Sequence, residues 1–357
     1  MHNSLSDSSR TSPCRKAKIL AYKEQLVAVL SGHESKIRTA TFSNDGDFIA
    51  TASFDGVARI WSAINGQLVA ELIGHKKMIL HVAFSPDSRT IATASGDKTA
   101  RIWQIPDGVL VAKLTGHTGD VVKAIFSPDG RLIATASADE TAAIWRAVDG
   151  KLVVNLVGHK GIISGIDFSP DAHLIATASF DGTARIWRVP DGKLVAELKG
   201  HANWVSDVAF SPSGSFIATA SVDNTARIWE VRSKKMVIEL AGHTNSVKRV
   251  TFSPDGEFLA TVSYDHTTCI WHLPDGKQVA KFTGQHGDTS DVAFSPDGRF
   301  AATSLSDHAI GIWHMQDRKM VTKLPGREVG IRNIDFSPDG HLVVIAYYDK
   351  IAEVWQI

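Results

Sequence analysis

Cysteine, charge of one sign and long apolar runs are all scarce in this sequence. Two cysteines occur among 357 residues, Cys14 and Cys269, which excludes a disulfide framework and a four-cysteine zinc site. Lysine plus arginine number 38, as do aspartate plus glutamate, so the basic excess typical of nucleic-acid-binding domains is missing. No apolar run approaches the ~20 residues of a membrane-spanning helix, and residues 1–18 lack the apolar core of a secretory signal. We therefore expect a cytoplasmic protein that binds neither nucleic acid nor membrane.

A 42-residue period runs through almost the whole chain. Eight of the nine tryptophans lie on it, and an aspartate precedes each of the eight by six residues. The tryptophans are Trp61, Trp103, Trp145, Trp187, Trp229, Trp271, Trp313 and Trp355. Length alone suggests about two domains of ~150 residues each. A single period over the whole length instead predicts one repetitive domain.

Each unit contains four short runs with strand character, separated by turn signals. In the clearest copy, residues 194–229, the runs are LVAEL, VSDVAF, FIATAS and TARIW. SPDG or a variant of it follows the alternating run, and a short turn with the aspartate follows the small apolar run. Four antiparallel strands in ~40 residues form one propeller blade. The sequence therefore predicts an all-β, eight-bladed β-propeller with four antiparallel strands in each blade.

The combined pattern of Gly-His, SPDG, Ser-x-Asp and Ile-Trp resembles the WD-repeat family of β-propellers over residues 25–357. Eight copies agree in register, although the residue after the tryptophan is never aspartate, which departs from the dipeptide that names the family. The regular repeats without insertions are similar to bacterial members of the family. The resemblance implies a protein-interaction scaffold.

The last unit lacks an outer strand of its own, because the sequence ends two residues after Trp355. The segment Leu26–Leu30, in QLVAVLSGH, matches Leu68–Leu72 in QLVAELIGH. We therefore expect the N-terminal run to complete the last blade and close the ring, which leaves no open sheet edge. Residues 1–24 are serine-rich and predict a disordered polar leader or a linker.

Every typical unit also contains a histidine, a serine, an aspartate and a tryptophan, as in His33, Ser53, Asp55 and Trp61. Serine, histidine and aspartate form hydrolase triads, but a triad serves one pocket, whereas this set recurs in at least six units. A buried hydrogen-bond chain explains it better: aspartate accepts from histidine and backbone amides, serine relays, and the indole N–H finds a partner. This set resembles the structural tetrad of WD repeats. We expect no catalytic residues, no cofactor and no metal site.

The last two units depart from this set. Gln285 replaces the histidine of the seventh unit, where His286 is the neighbouring substitute after a shift of register. In the eighth unit, Arg327 occupies the histidine position and Tyr347 the serine position. We expect Arg327 to pair with Asp349.

Positions that differ between the units are candidates for recognition, because identical positions build the fold. Three such positions per unit belong to the face with the His-bearing and Asp-bearing turns: the third and fifth after the histidine, and the one before the aspartate. In the WD-repeat family these positions contact partners. Among these positions, we call the aromatic, the long apolar and the basic residues the variable face: Lys36, Arg38, Phe54, Met78, Leu80, Ile162, Phe180, Trp204, Lys248, Tyr264, Arg332 and Tyr348. Trp204 is the one tryptophan outside the 42-residue spacing.

Aromatic and arginine side chains on a rigid surface are typical of binding hot spots. We therefore predict a non-enzymatic scaffold that binds a protein or peptide partner, acidic to neutral and partly apolar, on the variable face. We expect the protein to act as a monomer, or as part of a larger complex or longer chain. Two other functions stay open, a propeller that encloses an enzyme site and nucleic-acid binding through a local basic patch. The structural alternative is that the variable face folds inward and fills the central channel.

Overall fold

The computed structural model describes residues 25–283, 291–305 and 308–357, and these residues form eight four-stranded antiparallel sheets. The predicted leader, residues 1–24, lies outside the described residues, as do Gln285 and His286. The eight-bladed all-β prediction is confirmed, and the same four-stranded unit recurs throughout the described residues.

The strands follow one another blade by blade. Strand β1 is Gln25–Leu30. Blade 1 contains β2 (Ile37–Phe42), β3 (Phe48–Ser53), β4 (Ala58–Ser62) and β5 (Leu68–Leu72). Blade 2 contains β6 (Ile79–Phe84), β7 (Thr90–Ser95), β8 (Ala100–Gln104) and β9 (Leu110–Leu114). Blade 3 contains β10 (Val121–Phe126), β11 (Leu132–Ser137), β12 (Ala142–Arg146) and β13 (Leu152–Leu156). Blade 4 contains β14 (Ile163–Phe168), β15 (Leu174–Ser179), β16 (Ala184–Arg188) and β17 (Leu194–Leu198).

The second half of the ring repeats this order. Blade 5 contains β18 (Val205–Phe210), β19 (Phe216–Ser221), β20 (Thr225–Glu230) and β21 (Lys235–Ala241). Blade 6 contains β22 (Val247–Phe252), β23 (Phe258–Ser263), β24 (Thr267–His272) and β25 (Lys277–Thr283). Blade 7 contains β26 (Val292–Phe294), β27 (Phe300–Ser304), β28 (Ile310–His314) and β29 (Lys319–Leu324). Blade 8 contains β30 (Ile331–Phe336), β31 (Leu342–Tyr347) and β32 (Ala352–Gln356).

The first strand of the chain closes the ring. Strand β1 pairs antiparallel with β32, from Gln25 opposite Gln356 to Leu30 opposite Ala352, and is the outer strand of blade 8. The predicted closure is therefore confirmed. Within the described residues, the edge of β32 is covered by this pairing, which removes a site for aggregation.

The core lies between the blades rather than at the centre of the ring. Ala50, Ala52 and Ile60 of blade 1 pack in one fully buried cluster with Ile79 and Trp103 of blade 2. The small alanines bring the two sheets into close contact, and the large side chains of the next sheet fill the space between them. Equivalent clusters at the other junctions make each blade depend on both of its neighbours.

The SPDG turns lie together on one face of the ring. In blade 3, Ser127 Oγ donates to Asp129 Oδ1 at 2.5 Å and accepts from the Leu132 amide at 3.0 Å, while Gly130 adopts a φ of 72°. A positive φ suits glycine because it has no Cβ. This polar turn defines what we call the SPDG face. Among the described residues, no helix is long and apolar enough to cross a membrane.

Candidate functional site

A hydrogen-bond chain joins four side chains inside blade 1. His33 Nδ1 donates to Asp55 Oδ2 at 2.8 Å, and His33 Nε2 accepts from Thr51 Oγ1 at 2.7 Å. The same threonine oxygen accepts from the indole Nε1 of Trp61 at 2.8 Å. Aspartate, histidine, threonine and tryptophan therefore form one continuous chain.

The predicted relay through serine is wrong, because threonine takes that place. Ser53 Oγ donates to the Ser35 carbonyl and accepts from the Asp55 amide, both at 3.1 Å, so it holds the turn. Thr51 lies two residues earlier on the same face of β3, within reach of both the indole and the imidazole. Threonines at the equivalent positions accept from the tryptophans of the next six blades: Thr93, Thr135, Thr177, Thr219, Thr261 and Thr303.

Protonation states fit a structural role for this chain. Burial lowers the pKa of His75, which keeps the imidazole neutral, although the hydrogen bond to Asp97 opposes the shift. Burial alone would raise the pKa of Asp97, but hydrogen bonds from Thr99, His75 and the Lys76 amide hold it at about 2. The carboxylate thus stays charged, and it fixes which imidazole nitrogen carries the proton. The relay hydroxyl of Thr93 is fully buried, so it cannot reach a substrate.

Blade 8 replaces this chain with a charged network. Arg327 Nε donates to Asp349 Oδ2 at 3.3 Å, which confirms the predicted pair. Arg327 Nη1 also donates to Glu353 Oε1 at 3.2 Å. Glu353 Oε2 accepts from Tyr347 Oη at 3.0 Å and from the indole of Trp355 at 3.1 Å. Glu353 therefore accepts the indole hydrogen bond that a threonine accepts in the other blades.

The variable face forms at the junctions between blades. Phe180, which begins the Asp-bearing turn of blade 4, stacks on Trp204 from the His-bearing turn of blade 5, with ring centroids 4.6 Å apart and planes 6° from parallel. Phe54 and Met78 occupy the same two positions at the junction of blades 1 and 2. About half of the Trp204 side chain stays exposed (50%), with 39% of Phe54 and 40% of Met78.

A cavity of about 490 Å³ occupies the mouth of the channel at the centre of the ring. The first strands of the blades line it, together with turns of this face. Seven residues of the variable face belong to this lining: Arg38, Leu80, Phe180, Trp204, Lys248, Tyr264 and Arg332. The other five lie outside it: Lys36, Phe54, Met78, Ile162 and Tyr348. With 44% of Tyr264 and half of Trp204 exposed, the aromatic side chains border the mouth rather than fill it.

Comparison with family models accounts for the repeats. Residues 24–62, 66–104, 108–146 and 150–188 each match the model described as WD domain, G-beta repeat. Residues 181–357 match the model described as IFT122 first beta-propeller. The chain is a WD-repeat β-propeller. No curated protein matches it at a significant level. The similarity of its repeats to bacterial members of the family stays a prediction.

In seven of the eight units, the sixth residue after the histidine position also lines the channel of this WD-repeat propeller, and the sequence interpretation missed it. These residues are Thr39, His81, Lys123, Asp207, Arg249, Asp291 and Asn333. A signal was available, because this position differs in almost every unit. Side chains normally alternate along a strand, however. If the fifth residue after the histidine position faces the mouth, alternation predicts that the sixth faces away from it.

A β-bulge in the first strand explains why both residues face the channel. Ile37 lies opposite Ser53, yet Thr39 lies opposite Ala52, so Arg38 is an extra residue in the ladder. The same shift occurs in the first strands of six further blades. A bulge interrupts the alternation of side chains, and in six blades two consecutive residues lie at the mouth, as Arg38 and Thr39 do.

Burial shifts the charge states in the channel wall. Burial and the nearby Lys123 lower the pKa of His81 to about 3, so this histidine is neutral, and its Nδ1 donates to the Ala124 carbonyl at 3.0 Å. Burial raises the pKa of Asp167 and of Asp335 to about 6. In the part of the chain that the structure describes, no group of three or more His, Cys, Asp or Glu side chains is placed to hold a metal ion.

Proposed function

We propose that this WD-repeat propeller is a non-enzymatic scaffold that binds a segment of a protein partner on its variable face. The stack of Phe180 on Trp204 carries the proposal. Two large rings at one blade junction present apolar area that water solvates poorly, and covering it on binding is favourable. The 42-residue repeat does not require a tryptophan at position 204, so the fold alone does not account for it.

The rigidity of the turns supports this proposal. The His-bearing turn with Trp204 is fixed by His201, whose Nδ1 donates to Asp223 Oδ2 at 2.8 Å and whose Nε2 accepts from Thr219 at 2.8 Å. A surface that is already ordered loses little conformational entropy when a partner binds. The aromatic rings are therefore held ready for contact.

A scaffold is favoured over an enzyme by the state of the repeated hydroxyl groups. In blades 1 to 6, the threonine and the last serine of the FIATAS-type strand are buried and hydrogen-bonded, as for Thr177 and Ser179 of blade 4. The histidines beside them serve as acceptors within the same chain. These groups stabilise the blades and leave no activated nucleophile in this set.

The experiment compares an aromatic variant with a matched surface variant. Random 12-residue peptides displayed on phage are selected on the immobilised wild-type propeller, and the selected peptides are measured on both variants. We expect Phe180→Ala with Trp204→Ala to weaken binding by about a hundredfold, the size expected for a hot-spot pair, with Tm unchanged. Ile64→Ala with Val148→Ala removes exposed apolar groups (79% and 76% exposed) from the SPDG face and should leave binding intact. Selected peptides that bind the aromatic variant as well as the wild type would contradict the proposal.

A further inference from the structure

An arginine recurs on the third strand of four blades, two residues before the repeated tryptophan. In three of these blades a glutamate on the outer strand lies opposite the arginine, and the pairs are Arg59 with Glu71, Arg185 with Glu197, and Arg227 with Glu239. The nitrogen–oxygen distances in the three pairs are 2.7, 2.9 and 2.9 Å. Each of these guanidinium groups therefore has a carboxylate from its own blade.

Arg101 of blade 2 has no such carboxylate. Its cross-strand partner on β9 is Lys113, so two positive charges occupy the place of an ion pair. Among the described residues, no carboxylate oxygen lies within 4.0 Å of an Arg101 nitrogen. The guanidinium lies over the Trp103 ring instead, with Cζ 5.7 Å from the centroid. Like charges directly opposite each other in an antiparallel pair are unfavourable, so the fold alone does not explain this pairing.

The aspartate of blade 2 is held by other groups. Asp97 Oδ2 accepts from His75 Nδ1 at 2.9 Å and from the Lys76 amide at 3.0 Å. Its Oδ1 accepts from Thr99 Oγ1 at 2.6 Å. Both carboxylate oxygens thus serve the turn and the buried hydrogen-bond chain, and neither neutralises Arg101.

The Arg101 side chain is almost completely buried, with 8% of the residue exposed. Its Nε is buried without a hydrogen-bond partner, as are the Nε atoms of Arg185 and Arg227, so the terminal nitrogens are what each of these arginines offers to an anion. Arg101 Nη1 lies against the partly exposed Gly74, where an added Cβ would come within 2.0 Å of it. A buried charge without a counter-ion is unfavourable, so this position favours a ligand with a negative charge.

The charges near the histidine differ in the same way. Burial lowers the pKa of His75, and the charges of Arg101 and Lys113 lower it further. Burial also lowers the pKa of His159 in blade 4, but there Glu197 acts to raise it. An anion beside Arg101 would supply in blade 2 the negative charge that the glutamate supplies in blade 4.

We infer that Gly74, Arg101 and Lys113, which we call the blade 2 site, bind a glutamate or aspartate side chain of a protein partner. The carboxylate takes the place that Glu197 occupies beside Arg185, so the chain itself shows that this group fits next to the arginine. A guanidinium and an ammonium group together form charge-assisted hydrogen bonds with one carboxylate. The inference rests on the proposed function for the kind of partner, and it adds a contact away from the aromatic stack.

The blade 2 site adjoins the surface that we propose for the partner. Met78 of the variable face lies four residues after Gly74 in the same His-bearing turn, and both Met78 and Ile73 are exposed. Two cations at an exposed rim hold a free anion weakly, whereas a carboxylate on an already bound protein is present at a high effective concentration. A partner that covers Met78 can therefore place an acidic side chain at this site.

The first measurement needs no ligand. Lys113→Glu gives Arg101 the carboxylate that the other three arginines have, so we expect the Tm of the free protein to rise by about two degrees. The matched control is Lys281→Glu, which makes the same change at the equivalent position of blade 6, where Cys269 lies opposite. We expect no rise there. A Lys113→Glu variant that melts no higher than the control would show that Arg101 does not need a counter-ion, and would overturn the inference.

The second measurement uses an acetylated and amidated peptide of six glutamates as the probe, with a peptide of six glutamines as its neutral control. Binding is measured at low ionic strength, where screening is weak. We expect Lys113→Glu to weaken binding of the glutamate peptide by about tenfold and Lys281→Glu to change it by less than about twofold. Carbodiimide cross-linking, mapped by mass spectrometry, should join the peptide to Lys113 more than to Lys281.

A third variant builds the site elsewhere. Glu197→Lys places a lysine opposite Arg185 in blade 4, as in blade 2. We expect this variant to bind one more glutamate peptide per chain than the wild type does. An unchanged stoichiometry would overturn the inference, because an arginine opposite a lysine would then not be sufficient to bind a carboxylate.

The inference and the proposed function fail in different ways. A glutamate peptide that does not bind the wild type, or that binds Lys113→Glu equally well, overturns the inference. Inorganic phosphate that displaces the peptide where acetate at the same concentration does not would overturn it in favour of a phosphate ligand. The variant Phe180→Ala with Trp204→Ala should bind this peptide like the wild type, because the probe has no apolar side chain. The proposed function is tested by the selected peptides on that aromatic variant, and its outcome does not depend on Lys113.

Discussion

Trp355 donates its indole N–H to Glu353, two residues earlier on the same strand, at 3.1 Å. In the other blades the indole reaches a threonine on the neighbouring strand, as Trp187 reaches Thr177 at 2.9 Å. The last blade thus holds its tryptophan through an ion-pair network, and the first seven hold theirs through a hydroxyl. The two arrangements respond differently to the loss of a carboxylate.

Asp181→Ala should destabilise the protein more than Asp349→Ala. Asp181 accepts from His159 at 2.7 Å and from Thr183 at 2.7 Å, so its removal leaves a buried imidazole and a hydroxyl without their acceptor. We expect a loss of about 3 kcal/mol. Arg327 keeps Glu353 when Asp349 is removed, so we expect a loss of about 1 kcal/mol there. Urea melts of the two variants give the comparison, and equal losses would contradict it.

Thr177→Val should cost more than Ser179→Ala, because threonine is the relay. Valine keeps the shape of threonine but removes the hydroxyl that binds both Trp187 Nε1 and His159 Nε2. Two buried polar groups without partners cost about 3 kcal/mol, against about 1 kcal/mol for the turn hydrogen bonds of Ser179. Free energies of unfolding from urea melts check this order. A larger loss of unfolding free energy in Ser179→Ala than in Thr177→Val would contradict the assignment of threonine as the relay and favour serine instead.

Asp335→Asn should change how stability depends on pH. Burial raises the pKa of Asp335 to about 6 from 3.8, although Thr41 Oγ1, the Phe42 amide and Arg249 favour the charged form. The folded protein therefore holds this proton more tightly than the unfolded chain between about pH 4 and 6. The contribution of this carboxyl to stability is greatest below that window and falls as the pH rises through it.

The measurement for Asp335→Asn is the Tm of variant minus wild type from pH 4 to 8. The amide cannot lose a proton, so we expect this difference to rise between pH 4 and 6 and to stay level above 6. Asp167→Asn should behave alike, because burial also raises that pKa to about 6. A difference that is constant over the whole range would show that the Asp335 pKa is not raised.

Removal of β1 should open the ring. A chain that starts at Gln25 keeps β1 and should melt close to the full chain, whereas one that starts at Ser31 lacks it. Loss of β1 exposes the edge of β32 and removes Leu30, which is fully buried in the cluster between blades 8 and 1. We expect a Tm lower by ten degrees or more, roughly what several kcal/mol of lost burial produce, with aggregation detected by light scattering. Equal melting of the two chains would contradict the role of β1.

The sequence could predict the ring because its signals are local and repeated. Eight copies with one spacing define the blade count, and the match of Leu26–Leu30 to Leu68–Leu72 defines the closure. The pairing of Arg327 with Asp349 followed from position alone, since both residues occupy places that are paired in other units. The positions of the variable face were predicted as a set, and its partner-binding role stays a prediction.

Two features of the site could not be read from the pattern, for physical reasons. Thr51 and Ser53 recur together in the FIATAS-type strands, so their spacing does not tell which hydroxyl reaches the indole. The structure shows that Thr51 lies next to the Trp61 indole, whereas Ser53 lies at the turn. The bulge at Arg38 shifts the register without any glycine or insertion to mark it. Strict alternation would place Thr39 and Asn333 away from the mouth, so the pattern does not reveal the polar channel wall.

The pairing of β1 with β32 also bears on gene design. Gln25 and Gln356 are cross-strand partners, so a short turn that joins them would give blade 8 the same continuous course as the other seven. New termini placed in any exposed turn between blades would then yield a circular permutant with every strand pair retained. In such a permutant any blade could come first along the chain, because all eight blades have the same four-stranded arrangement.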